Sequence, residues 1–189
     1  MDRSELKEIR FHGRGGQGVV VASEILVGAF YTNGKFAQSF PFFGVERRGA
    51  PVSAFLRCDR QPIWEKTQVY EPDCIVLMDL RLLRAVDVFA GVKANAILVV
   101  NSENLKLENV PGQISTIGRV NATRIAMDCL GTPIVSTCIL GAFAAATGWV
   151  SVDAVLDAVG KMLPGKMGES NQKAVSRAFA ETCIKRRGE

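Results

Sequence analysis

The sequence predicts an α/β fold: a three-layer α/β/α single domain over residues 1–189, with a mostly parallel or mixed sheet. Three observations predict it. Short apolar runs of strand length alternate with helix-length stretches through the first two-thirds of the chain. A Gly13-x-Gly15-x-x-Gly18 turn stands between the first run and the first helical stretch, a Rossmann-like placement. The runs at 74–78 and 96–100 are apolar without alternation, as in parallel strands buried on both faces.

Each element follows from its residues. Residues 8–11 read as a strand, 13–18 as a tight turn, and 19–31 as a helix that Asn33-Gly34 ends. Residues 36–40 form a second strand, broken by Pro41, and 41–51 form a loop rich in aromatic residues, charge and glycine. Residues 52–58 alternate as a third strand, after which 59–62 turn the chain toward Ile63-Trp64 in a hairpin-like excursion that makes the sheet mixed. Asp79 closes the buried run at 74–78, and 80–89 read as a helix. A buried strand at 96–100 and a weaker one at 113–117 follow. The rest reads as helices over 119–129, 133–147, 152–162 and 170–187, the second nearly all apolar and the third with Ser151 as its N-cap. Lys185-Arg186-Arg187 then read as the solvated basic end of the last helix.

Composition narrows the function classes. The apolar fraction is 48% and the charged fraction 22%, ordinary for a globular protein with a real core. Twenty-three basic against 19 acidic residues leave a net charge of +4, too mild to call for nucleic acid. No run is long and apolar enough for a membrane span, the N-terminus lacks the apolar region of a signal peptide, and cysteines that read as free thiols make a reducing cytoplasm the expected location. The five cysteines contain no Cys-x-x-Cys and match no zinc or iron–sulfur spacing. They read as free thiols, and no metal site is expected. The single histidine, His12, reads as a polar strand-end residue, which argues against a hydrolase triad and leaves no catalytic residue assigned.

The stretch Gly13-Arg14-Gly15-Gly16-Gln17-Gly18 raises three possibilities. Its strand–turn–helix setting offers free N–H groups to an anion. A dinucleotide site also needs an acid about 20 residues on, at the end of the next strand. Here that strand ends Gln38-Ser39-Phe40-Pro41, with no acid. The turn therefore holds a nicotinamide or flavin dinucleotide, or another anion such as a coenzyme phosphate, or it is purely structural. The loop at 41–51 adds Phe42 and Phe43 beside Glu46, Arg47 and Arg48. An arginine pair grips phosphates, and a carboxylate holds a guanidinium in place. A surface loop with an internal ion pair is the alternative.

Taken together, HGRGGQG, FPFFGVERRGAP and the segment 62–73 ending YEPD resemble the gamma subunit of 2-oxoacid:ferredoxin oxidoreductases, nearest to the pyruvate branch, also called pyruvate synthase. The 2-oxoglutarate branch usually differs at FPFFGVERRGAP. The resemblance covers nearly the whole chain, more loosely at 133–147 and 171–179. It implies a cytoplasmic subunit, inactive alone, of an enzyme of anaerobic metabolism. That enzyme oxidatively decarboxylates a 2-oxoacid to acyl-CoA and CO2 and reduces ferredoxin. It implies alpha, beta and delta-type partner subunits that carry thiamine diphosphate, magnesium and [4Fe–4S] clusters, since this chain has neither the cysteine set nor the Gly-Asp-Gly…Asn pattern those groups need. In single-chain relatives the similar domain is implicated in coenzyme A binding, with a basic pair in the counterpart of the second loop. The carry-over puts Arg47 and Arg48 on coenzyme A phosphates, with Glu46 beside them and Gly13, Arg14, Gly15, Gly16, Gln17 and Gly18 shaping the adjoining surface. The alternatives are a non-catalytic assembly module of such a complex and a free-standing NAD(P)-binding oxidoreductase.

Overall fold

The computed structural model describes residues 5–42 and 49–189. Seven strands form one sheet: β1 (Lys7–Arg14), β2 (Phe36–Phe42), β3 (Pro51–Asp59), β4 (Cys74–Leu77), β5 (Ala96–Asn101), β6 (Ile114–Val120) and β7 (Cys183–Arg186). Their order is β2-β3-β1-β4-β5-β6-β7. The run β1, β4, β5, β6 is parallel, and β2, β3 and β7 join it antiparallel. The sheet is mixed, and the α/β expectation holds. Pro41 does not break β2, because β2 is an edge strand and can do without one ladder N–H.

Five α-helices complete the chain: α1 (Val19–Thr32), α2 (Ala122–Leu130), α3 (Cys138–Thr147), α4 (Val152–Met162) and α5 (Lys166–Glu181). All five contribute to one core with Ile9 and Phe11 of β1, Leu56 of β3 and Val76 of β4. Fully burying a side chain of this size contributes about 1.5–3 kcal/mol. α3 and α5 cross so closely at Gly141 that a Cβ there would run into the Val175 carbonyl.

Strand alternation sends the intervening residues to the opposite face. Ile75, Leu77, Leu98 and Val100 form a second core there, beneath Leu82, Val88 and Val110. The cover on this side is made of 3-10 turns, at Leu80–Arg84 and Leu107–Asn109, and of irregular chain.

The differences from the sequence reading have physical causes. The helix expected over 80–89 is a single 3-10 turn started by the Asp79 side chain, which accepts from the Arg81 N–H. The hairpin partner of β3 is β2, and Ile63-Trp64 lie in irregular chain. Arg119 belongs to β6, and α2 starts later, capped by Asn121. α3 begins at Cys138, leaving 133–137 as the turn that leads into it. The chain end is not helical: α5 stops at Glu181 and β7 pairs with β6. Ser151 does cap α4, accepting from the Ala154 N–H.

Candidate functional site

β1 delivers the glycine turn and α1 leaves it, so the turn lies at the end of β1 with the N-terminus of α1 directly behind it. Gly13 sits where β1 meets α1, and a Cβ there would clash with the Val19 side chain. Gly18 is the N-cap of α1 with φ 77°, a left-handed conformation that other residues rarely adopt. No side chain caps α1, so its first-turn N–H groups stay available.

The other residues of the turn are fastened from outside. The Gly15 N–H donates to the Ala50 carbonyl at 2.9 Å, which extends the β1–β3 pairing into the turn. The Arg14 N–H donates to Gln17 Oε1 at 2.8 Å. The Arg14 guanidinium donates to Asp79 Oδ2 and to the Gly49 carbonyl, both at 3.0 Å. Asp79 also accepts from Arg81, and the hydrogen bonds of Arg81 hold its carboxyl down at about 2, against the opposing effect of burial. A carboxylate therefore does stand beside the glycine turn. It comes from the end of β4, and it holds Arg14 in place where a dinucleotide fold would offer an acid to ribose.

The turn opens onto a cavity of about 870 Å³, within the range of small-molecule sites. Arg14, Gly15, Gly16, Gly18 and Val20 form one wall; Lys166, Met167 and Asn171 of α5 form the facing wall, with Ser136 between them. Asn171 joins the elements. It accepts from the Thr137 hydroxyl at 2.7 Å and donates to the Met167 carbonyl at 2.8 Å. The sequence reading missed Ser136, Lys166 and Asn171. The usable signals were Pro164-Gly165, which breaks the chain before an amphipathic stretch, and the Ser-Thr pair before an apolar helix.

Of the second loop, Glu46, Arg47 and Arg48 lie outside the described residues, as does Phe43. Phe42 is described; it is exposed, with its ring centroid 6.3 Å from that of Phe55.

His12 lies near the end of β1, as read, and it is buried there. Its Nε2 accepts from Arg10 Nε at 3.1 Å, so the proton sits on Nδ1, which faces the Ser53 hydroxyl at 3.4 Å. Burial, and then the Arg10 charge, push its pKa down to about 3. A histidine held neutral and walled in by Arg10 serves the fold. Arg10 also donates to the carbonyls of Val69, Val88 and Ala90. Arg57 donates to the carbonyls of Thr67 and Gln68 and to Glu8. Together they bind the segment 63–72 across β1 and β3 as a strap, leaving Trp64 and Tyr70 exposed. Among the described residues, no three His, Cys, Asp or Glu side chains gather as a metal site. Cys58, Cys74 and Cys138 are buried free thiols, Cys129 is half-buried and Cys183 exposed. No helix among the described residues is long and apolar enough to cross a membrane.

Comparison with known proteins gives a consistent result. The family model described as pyruvate ferredoxin/flavodoxin oxidoreductase matches residues 8–181. The pyruvate/ketoisovalerate oxidoreductases common subunit gamma of Pyrococcus abyssi is 52% identical over 180 residues, covering 94% of this chain and 97% of that protein. Pyruvate synthase subunit PorC of Methanothermobacter thermautotrophicus is 49% identical over 174 residues, covering 92% and 94%. The crystal structure of pyruvate oxidoreductase subunit PORC from Thermotoga maritima matches with a TM-score of 0.80 at 34% identity, over 95% of this chain and 98% of that one. The 2-oxoglutarate:ferredoxin oxidoreductase of Magnetococcus marinus, solved with 2-oxoglutarate, coenzyme A and succinyl-CoA bound, shares the fold at a TM-score of 0.71 and 13% identity, over 93% of this chain and 30% of that one.

Proposed function

The chain belongs to the pyruvate ferredoxin/flavodoxin oxidoreductase family as a gamma-type subunit, and from that premise we propose that it supplies coenzyme A contacts and an assembly surface to a complex that converts a 2-oxoacid, pyruvate first among them, to acyl-CoA and CO2 while reducing ferredoxin. Thiamine diphosphate supplies the carbon–carbon cleavage and iron–sulfur clusters the electron path, both on the alpha, beta and delta-type partners. The residues of this chain do not fit either group. It has no cysteine set for a cluster, and its described residues bring no metal-binding side chains together. A relative is named as common to pyruvate and ketoisovalerate enzymes. This suits a subunit that meets the coenzyme and leaves selection of the 2-oxoacid to its partners.

One observation carries the coenzyme reading: the glycine turn and the uncapped N-terminus of α1 face an 870 Å³ cavity instead of being packed away. Backbone N–H groups at a helix start take phosphate without a dedicated side chain. Arg47 and Arg48 directly precede in sequence the Gly49 whose carbonyl accepts from Arg14, and an arginine pair is the side-chain chemistry that grips phosphate. The test is the double variant Arg47→Ala, Arg48→Ala in the assembled enzyme. The KM for coenzyme A rises at least tenfold while the KM for the 2-oxoacid is unchanged. An unmoved coenzyme A KM removes the assignment, and a complex that falls apart with unaltered coenzyme kinetics leaves only the assembly role. That second role rests on the strap, where Trp64 and Tyr70 are 83% and 69% exposed. Large aromatics held outward on fixed chain suit a subunit interface.

A further inference from the structure

We propose that the wall facing the glycine turn is itself a phosphate-binding arm, in which Ser136, Lys166 and the first turn of α5 act with the first turn of α1 to hold a phosphate or diphosphate group of an organic ligand. The phosphate chemistry stands on the geometry, and the identity of the ligand as coenzyme A rests on the function proposed above.

The helix starts differ in a telling way. α2 and α4 are capped by the side chains of Asn121 and Ser151. α1, α3 and α5 have no side-chain cap, and of these α1, with 14 residues, and α5, with 16, line the cavity with their first turns. Each start carries a partial positive charge, so two of them at one cavity repel each other unless an anion lies between. The only acid in the first turn of α5 is Glu169, and it lines a separate groove with Leu156 and Gln172. Lys166 adds a full positive charge at the cavity and has no ion-pair partner among the described residues.

Ser136 is the independent sign of a ligand. It is only 6% exposed, it lines the cavity, and its hydroxyl has no hydrogen-bond partner among the described residues. The residue is buried while its hydroxyl still reaches the cavity, so the oxygen is placed to meet a ligand and not a neighbour in the fold. Its Oγ lies 2.9 Å from where a Cβ on Gly18 would stand, beside the N-cap of α1. The Thr137–Asn171–Met167 hydrogen bonds fix the start of α5 relative to Ser136, so the arm is set before a ligand arrives. The remaining lining is largely apolar, including Val20, Leu130 and Leu163, and suits the carbon body of an organic phosphate.

The experiment is calorimetric titration of the full chain with inorganic pyrophosphate and, separately, with coenzyme A. Ser136→Ala and Lys166→Met are compared with a distant control, Lys185→Met, and thermal unfolding confirms that each variant is folded. Each cavity variant is expected to weaken pyrophosphate binding at least fivefold, and the control to leave it unchanged. Coenzyme A binding that weakens in parallel supports both the arm and the coenzyme reading. Pyrophosphate binding that weakens in the variants, with no coenzyme A binding to the native chain, keeps the arm and removes coenzyme A as its ligand. Coenzyme A binding within twofold of native in both variants overturns the arm and leaves the coenzyme reading intact. No pyrophosphate binding to the native chain also overturns the arm.

Discussion

The two faces of the sheet are covered by different means. On one, five helices arrive with their backbone hydrogen bonds already made, and the side chains between them and the sheet are almost wholly apolar. On the other, the strap and the 3-10 turns bring carbonyls with no ladder to join. β1 and β3 answer with buried arginines: Arg10 serves three carbonyls and Arg57 serves two. Irregular chain can cover a sheet only if its polar backbone is satisfied, so the strands beneath it carry donors in place of aliphatic residues.

If that contrast is right, the largest loss of stability comes from an arginine. Arg10→Met keeps the bulk and removes every donor, stranding three carbonyls and His12 Nε2. We expect a loss of about 3 kcal/mol or more in urea unfolding, at roughly 1–3 kcal/mol for each buried group left unsatisfied. Hydrogen exchange should speed up around 69–70 and 88–90 first. A loss below about 1 kcal/mol would mean that water replaces the guanidinium freely and that the strap is not held as described.

The helical face should respond to shape instead of hydrogen bonding. Gly141→Ala places a methyl against the Val175 carbonyl where α3 crosses α5. Overpacking of this kind costs roughly 1–3 kcal/mol. The same substitution at Gly112, whose Cβ position is open, is the matched control. Equal melting temperatures for the two variants would show that the helix crossing is soft.

The two faces also differ in how legible they were. The glycine turn, α1, the buried runs of β4 and β5 and the Ser151 cap were readable because each rests on local chemistry. The covering of the other face was not. Arg10 and Arg57 looked like ordinary strand charges, because the carbonyls they serve lie 59 and 10 residues away. β7 was read as a helix end because its Lys-Arg run suits a helix C-terminus; an edge strand of four residues, none of them buried, shows no alternation. The candidate site was half legible. The turn announced itself, while Ser136 and Lys166 became visible only when α5 packed on α3 and its start came to line the same cavity as α1.

The His12–Arg10 pair predicts an effect that is absent near neutral pH and grows as pH falls. The folded chain keeps His12 neutral down to about pH 3, whereas an unfolded histidine takes up a proton near 6.5. The unfolded state therefore binds more protons throughout that window, and stability falls as pH drops below 6.5, with a slope of up to about 1.4 kcal/mol per unit from this residue. His12→Gln keeps an acceptor for Arg10 and should remove that part of the slope. Matching acid unfolding curves for the native chain and the variant between pH 4 and 6.5 would show that His12 is more accessible than its surroundings suggest.

Asp79 gives the smallest expected effect and the sharpest view of where the two faces meet. It starts the 3-10 turn of one face and also holds Arg14, which stands at the end of β1 and lines the cavity. Its carboxyl titrates at about 2 in the folded chain against 3.8 for an unperturbed aspartate, chiefly because Arg81 donates to it. Its contribution is complete above pH 4 and is lost as pH falls through 2. Arg81 is itself exposed, so solvent screens the pair and the contribution is small. Asp79→Asn should therefore lower stability slightly at pH 7 and flatten the change between pH 4 and 2. On the coenzyme role proposed above, it should also weaken coenzyme A binding by a larger factor than its effect on stability suggests, because Arg14 loses the carboxylate that holds it. Coenzyme binding unchanged in Asp79→Asn would show that the turn keeps its shape through the Gly15–Ala50 and Arg14–Gly49 contacts alone, and that the two faces of the sheet act independently at the site.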